Sequence, residues 1–252
     1  MGTISAYYQC HKNPASFIRC VKSFLSAYPG SKMVVTNDGG HDYAKFCENN
    51  GIRYTYTAKT DTLNDALIFA HPTCMLFLEN LWKSLPCMDS THVLLLEDDV
   101  RVVRKHTAEF NYTINGCNRN AILRNWAVWL LKEKGVNGPY FYGACGGCVI
   151  DRQFLQNIPF DQIVALMDRV KAMNITFASD EVLSFIVLYF GGSIGQYDEF
   201  AEMWYKDIGN RLQKNTVAFL HQFKKDYEKN GVFPTEAESA ELYPPATCGE
   251  TV

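Results

Sequence analysis

Three carboxylates stand in a row, Glu97-Asp98-Asp99, directly after the apolar run Val93-Leu94-Leu95-Leu96. Four aliphatic residues together read as a strand buried on both faces, and the carboxyl end of such a strand is where open α/β sheets bind ligands. Three like charges side by side repel one another and are costly to take out of water unless a cation sits among them. Carboxylate oxygens suit hard divalent ions such as Mg²⁺ or Mn²⁺. The triplet therefore marks a metal-assisted site; the alternative is a solvated turn after a strand.

Such a strand needs neighbours, and the chain supplies them in alternation. Ile4 to Cys10 reads as a first strand, broken by His11-Lys12-Asn13-Pro14. A helix capped by Asn13 or Ser16 follows to about Tyr28, with Phe17, Val21, Phe24 and Leu25 on one face and Pro29-Gly30 as its stop. Met33 to Thr36 is a second strand ending in Asn37-Asp38-Gly39-Gly40. A helix over about Tyr43 to Asn50, closed by Gly51, leads to a third strand at Ile52 to Tyr56. A polar loop at Thr60 to Asp65 and a helix over Cys74 to Leu85 precede the acidic strand. This alternation predicts a doubly wound α/β sheet with parallel, right-handed crossovers. Further on, helices are expected over Ala121 to Lys134, Phe160 to Met173 and Ser179 to about Tyr189, the last capped by Ser179 and ended by Gly191-Gly192. Phe141 to Ile150 is a glycine-containing segment, and Val217 to Leu220 is a late strand before His221.

The composition bounds the function. With 252 residues, 47% of them hydrophobic, the chain has ample core for one large domain. A net charge of −3 gives no footprint for nucleic acid. No apolar run is long enough to span a membrane, and no basic-then-apolar leader opens the sequence, so a cytoplasmic protein is expected. The nine cysteines form no framework and read as reduced thiols. Cys145-Gly146-Gly147-Cys148 is a single C-x-x-C without the second pair that structural zinc requires; it reads as packing and pocket wall. The sequons at Asn111 and Asn174 read as chance matches.

In their order these pieces resemble the GT-A family of nucleotide-sugar-dependent glycosyltransferases, over roughly residues 3 to 225. Val34 to Gly40 looks like the family's second strand with its Asp-Gly turn near the base. Leu94 to Asp99 looks like its metal-binding DxD signature in a Glu-Asp-Asp form. Gly143 to Arg152 resembles the acceptor-side glycine-rich segment, Ser179 to Leu183 the acidic pair opening a helix near the acceptor, and His221 a late histidine on the metal or diphosphate. The resemblance implies a GT-A fold, a twisted and mostly parallel sheet with helices on both faces. It implies one catalytic domain over 1–227, divided into a nucleotide-binding half (1–100) and an acceptor-side half (101–227), with a tail at 228–252. It also implies Mn²⁺ or Mg²⁺, a nucleoside-diphosphate-sugar donor and a glycan or other hydroxyl acceptor.

On that footing Asp99 is the expected metal ligand, joined by His221. Glu97 and Asp98 are expected to reach the ribose, the sugar or a metal-bound water, unless Asp98 turns away into solvent. Asp38, with Thr36 and Asn37, is expected in the nucleoside pocket, unless it closes an Asx turn on Gly39 or Gly40. Tyr8 and Gln9 are expected to flank the base, against plain core packing for Tyr8. Asp180 or Glu181 is the expected general base, against a pair that merely complements a helix dipole. Lys224 and Lys225 are expected near the diphosphate or as a solvated pair. Trp126, Trp129 and Trp204 are expected as sugar-stacking faces or as core. The departures from the family pattern, Glu97 in the first acidic position and Ser179 before the pair, leave inversion against retention open. A nucleotidyltransferase would want a glycine-rich loop after the first strand, which Gln9 to Pro14 lacks. A non-catalytic nucleotide- or carbohydrate-binding module would not need Asp180, and a glycoside hydrolase would not need a metal.

Overall fold

A computed structural model of the chain describes residues 4–10, 14–56, 71–116 and 122–221. The elements run β1 (Ile4–Cys10), α1 (Pro14–Ala27), β2 (Met33–Asn37), α2 (Ala44–Asn49), β3 (Arg53–Tyr56), α3 (His71–Ser84) and β4 (His92–Leu96) in the first half. They continue through β5 (Arg101–Val102), β6 (Ile114–Gly116), α4 (Asn125–Glu133), β7 (Val149–Asp151), α5 (Arg152–Gln156), α6 (Phe160–Ala172) and α7 (Ser179–Tyr189). β8 (Ile194–Gln196), β9 (Phe200–Glu202), α8 (Ile208–Gln213) and β10 (Phe219–His221) complete the order.

Among the described residues, seven strands form one sheet in the order β3-β2-β1-β4-β7-β6-β8. β1 pairs in parallel with both β2 and β4, and β2 with β3. β7 runs against β4 and β6, so the sheet is mixed with one reversed strand, while β6 and β8 are parallel. Because β7 is reversed, the segment entering it arrives beside the carboxyl end of β4. A small second sheet, β5-β10-β9, has β10 in its centre, antiparallel to β5 and parallel to β9.

Alternation along the strands divides the core between two faces. Tyr7, Val34, Val93, Leu95 and Ile150 point to one side, where α3, α4, α6 and α7 pack. Ala6, Tyr8, Val35, Leu94, Leu96 and Val149 point to the other, where α1 and the small sheet pack through Phe17, Val21, Phe24, Val102, Phe200 and Phe219. A strand such as β4, with Val93 to Leu96 all buried, needs cover on both faces and has it.

Local signals set several boundaries. Gly30, Gly51 and Gly191 hold left-handed conformations at the ends of α1, α2 and α7. Ser179 is not the cap of α7: Ala178 holds that position in an extended conformation, and Ser179 is the first helical residue, with its Oγ 3.4 Å from Cys74 Sγ. Ser16 lies inside α1, which begins at Pro14, a residue suited to a first helical position. Asn13, the Thr60 to Asp65 loop, Lys224, Lys225 and the 228–252 tail lie outside the described residues. Among the described residues no helix is long and apolar enough to cross a membrane.

Candidate functional site

The site is built at the carboxyl end of β4. Val100 N–H closes a tight turn onto Glu97 O at 3.0 Å, which turns the three acids out of the strand. The glycine-rich segment entering β7 extends the ladder beside them: Gly147 N–H donates to Leu95 O (2.8 Å) and Leu95 N–H to Cys148 O (3.0 Å). Gly146 lies directly against the first acid. A Cβ there would fall 2.8 Å from Glu97 Cδ and 2.7 Å from Val100 Cγ2, so only glycine fits. Ser184 of α7 ties the same segment down, accepting from Gly143 N–H and Ala144 N–H and donating to Asp180 O. One serine thus fixes both the glycine segment and the start of the helix that carries Asp180.

Three ligand atoms converge here. His221 Nε2 is 3.4 Å from Glu97 Oε2 and 3.5 Å from Asp99 Oδ1. Among the described residues, Glu97, Asp99 and His221 form one group able to hold a metal ion. Glu97 is half-exposed at 48%, so the group opens to solvent on its side, whereas the His221 side chain is only 9% exposed. β10 sets the histidine: it pairs with β9 so that His221 lies opposite Glu202, and His221 Nδ1 is 3.0 Å from Glu202 Oε1. A carboxylate behind the ring fixes the tautomer and leaves Nε2 for a cation, as metal-binding histidines require. Two carboxylate oxygens and one imidazole nitrogen fit Mn²⁺ or Mg²⁺. Burial alone would disfavour a charged His221. Hydrogen bonding with Asp99, Cys145, Glu202 and Glu97 outweighs it, and without a cation the ring stays protonated well above the ordinary histidine range.

Asp180 stands at the start of α7 beside this group. Its Oδ2 accepts from Tyr142 Oη and its Oδ1 from Glu181 N–H at 2.8 Å. Burial pushes its carboxyl up to about 6; the Tyr142 hydrogen bond opposes that shift and the Glu97 charge adds to it. Glu181 is differently employed. It is buried and grips Arg124 through Nε (2.7 Å), Nη2 and the backbone N–H (3.1 Å), anchoring the start of α4. Its oxygens are engaged by Arg124, whereas Asp180 Oδ2 meets only the Tyr142 hydroxyl among the bonds described here.

Other expected residues are placed away from open space. Tyr8 is wholly buried, stacked on Phe17 with ring centroids 5.4 Å apart, and its Oη reaches Asp98 Oδ1 at 2.5 Å. Its ring is packed in the core, and its hydroxyl engages Asp98. Thr36 is buried. Asp38 is buried and accepts from Gln9 Nε2, while Asn37 Oδ1, not Asp38, closes on Gly39 N–H at 3.1 Å. Trp126 belongs to the core, whereas Trp129 and Trp204 are exposed. Cys145 and Cys148 are free thiols. Tyr142, Glu202 and Arg124 had no motif to announce them, and only the fold brings them to the site.

No family model matches the sequence, and no curated protein sequence matches it. Solved structures do. An active-site mutant of LgtC aligns over 98% of this chain and 97% of its own, with a TM-score of 0.57 and 16% identity. The galactosyltransferase LgtC, in complex with donor and acceptor sugar analogs, aligns over 98% of both chains with a TM-score of 0.53 and 14% identity. The glycosyltransferase GlyE of Streptococcus pneumoniae TIGR4 aligns over 96% of this chain and 63% of its own, with a TM-score of 0.51 and 8% identity. At these identities the likeness is one of fold, and the fold is GT-A.

Proposed function

We propose that the chain is a divalent-metal-dependent glycosyltransferase that moves a sugar from a nucleoside-diphosphate sugar to a hydroxyl of a glycan or other acceptor. The observation that carries this reading is the convergence of Glu97, Asp99 and His221 at the carboxyl edge of the sheet, with Asp180 near enough to feel the Glu97 charge. A bound cation would supply Lewis-acid stabilisation of the diphosphate leaving group. Asp99, Glu97 and His221 Nε2 would hold it, and Glu202 would keep the histidine ring turned. Asp180 is the base in this reading. It accepts the acceptor's hydroxyl proton on Oδ2 as Tyr142 Oη yields that position, and stays oriented through the Glu181 N–H. A base acting on the acceptor favours a single displacement with inversion, which the anomeric configuration of the product, read by NMR, decides. Residues 1–100 would hold the nucleotide and 101–227 the acceptor.

The test is calorimetric titration with UDP, GDP, CDP and TDP, each with and without Mn²⁺. Binding of one of them that requires Mn²⁺ and is lost in Asp99→Ala is the expected result. Metal-independent binding would keep a nucleotide pocket but remove the acids from it, and no binding by any of the four would overturn the proposal.

A further inference from the structure

His221 faces two ways. Its Nε2 looks toward Glu97 and Asp99, and its Nδ1 toward Glu202. Behind it lies a second group, wholly buried: Cys145, Glu202 and His221 each bring one ligand atom within 4.8 Å of the others. This group differs in chemistry from the outer one. It offers one sulfur, one imidazole nitrogen and one carboxylate oxygen, a set that suits soft or borderline ions such as Zn²⁺, Co²⁺ and Cd²⁺ over Mg²⁺.

An independent observation points the same way. Glu202 is 4% exposed, and its Oε2 is buried without a hydrogen-bond partner. A carboxylate oxygen taken out of water and left unpaired is costly, and such groups call for a cation. The scaffold is rigid: Cys145 N–H bonds Gly143 O, Cys148 N–H bonds Cys145 O, and β9 and β10 hold Glu202 opposite His221.

We propose that Cys145, Glu202 and His221 form a second, thiophilic metal site, for Zn²⁺ or a similar ion, beneath the outer carboxylate site. Binding converts the Cys145 Sγ–H to a thiolate and takes the Nδ1 proton from the His221 imidazolium, both protons leaving to solvent as the metal–sulfur and metal–nitrogen bonds form. His221 then ligates through Nδ1, and Nε2 carries the hydrogen and donates it toward Asp99 and Glu97. One imidazole cannot serve both ions as a neutral ligand, so inner occupancy withdraws His221 from the outer site. The site would make the protein sensitive to zinc.

The experiment is Co²⁺ titration of the reduced, metal-stripped full chain, followed by absorption. A thiolate-to-cobalt charge-transfer band in the near ultraviolet is expected, bleached by Zn²⁺ and unaffected by a large excess of Mg²⁺. It should be lost in Cys145→Ser and kept in Cys87→Ser, whose thiol lies elsewhere on the chain. Glu202→Gln, which leaves the thiol in place, should weaken Co²⁺ at least about tenfold and decides the matter if Cys145→Ser fails to fold. No band in the wild type, a band that survives Cys145→Ser, or unchanged Co²⁺ affinity in Glu202→Gln overturns the site. None of these readouts uses a nucleotide, so they stand or fall apart from the transferase proposal.

Discussion

Asp180 and Tyr142 make the sharpest predictions at the scale of single residues. Asp180→Asn should lower transfer about 10²–10⁴-fold, the usual contribution of a positioned base, while sparing Mn²⁺-dependent nucleotide binding. With its carboxyl raised to about 6 from an ordinary 3.8, activity should rise with pH through an acid limb at or below pH 6, because a cation on Glu97 and Asp99 offsets the Glu97 repulsion. Stability runs the other way. A carboxyl that is harder to ionise when folded contributes stability below its unfolded value, and that contribution is lost as pH rises through about 6. Tyr142→Phe removes the hydrogen bond that favours the charged carboxylate, so the acid limb of a pH–rate profile should move to higher pH; an unmoved limb would separate Tyr142 from the base. Gly146→Ala forces a methyl against Glu97 and Val100. A cost of about 1–3 kcal/mol in denaturant unfolding is expected, with metal-dependent binding weakened further by the displaced carboxylate. Glu97, Asp98 and Asp99 stand out in the sequence because acids after an apolar strand are a strong contrast, whereas His221 enters only through the family resemblance and Glu97 is expected there at the sugar or a metal-bound water. Cys145 is visible only as half of a C-x-x-C that reads as packing and pocket wall, and Glu202, between Ala201 and Met203, carries no spacing that names a partner.

The elements explain which parts of the chain were legible. Strands of five or seven residues, such as β1, β2 and β4, are long enough to read as apolar or alternating runs between polar turns, and their ends fall within a residue or so of expectation. β5, β6, β8 and β9 have only two or three residues each, too few for any period, and their partners β7 and β10 are as short, so they take shape only in the assembled sheets. The small sheet was hidden for the same reason, although it delivers His221. Glu181 shows how an element-level role can imitate a catalytic one: the acidic pair is legible, but only the docking of α4 on α7 gives one member to Arg124. Arg124→Ala leaves Glu181 buried without its guanidinium. Unfolding should lose about 2–3 kcal/mol, less than the ~3–5 of a fully buried pair because Arg124 is half-exposed. Losing a cation that also attracts Asp180 should move the acid limb to higher pH; a large fall in rate with unchanged stability and an unmoved limb would instead put Glu181 in the chemistry.

For the whole molecule, the site joins the large sheet to the small one: Glu97 and Asp99 follow β4, and His221 ends β10. A cation with a nucleoside diphosphate across that seam should act as a clamp. At a hundredfold excess over Kd it adds about 2.7 kcal/mol, which for a chain of this size raises Tm by about 5–11 °C. Scanning calorimetry should record that shift with Mn²⁺ plus nucleotide, and should lose it in Asp99→Ala. The order of the strands has a consequence for how the protein is made. Every strand of the large sheet has left the ribosome once Gln196 has emerged, and domains begin folding from the amino-terminal side during synthesis. Glu202 and His221 come later, and β10 must slot between β5 and β9 before the imidazole meets the acids. A nascent or stalled chain can therefore carry a nearly finished sheet before the candidate ligands are together, so metal capture by the proposed site would have to wait until the scaffold is complete.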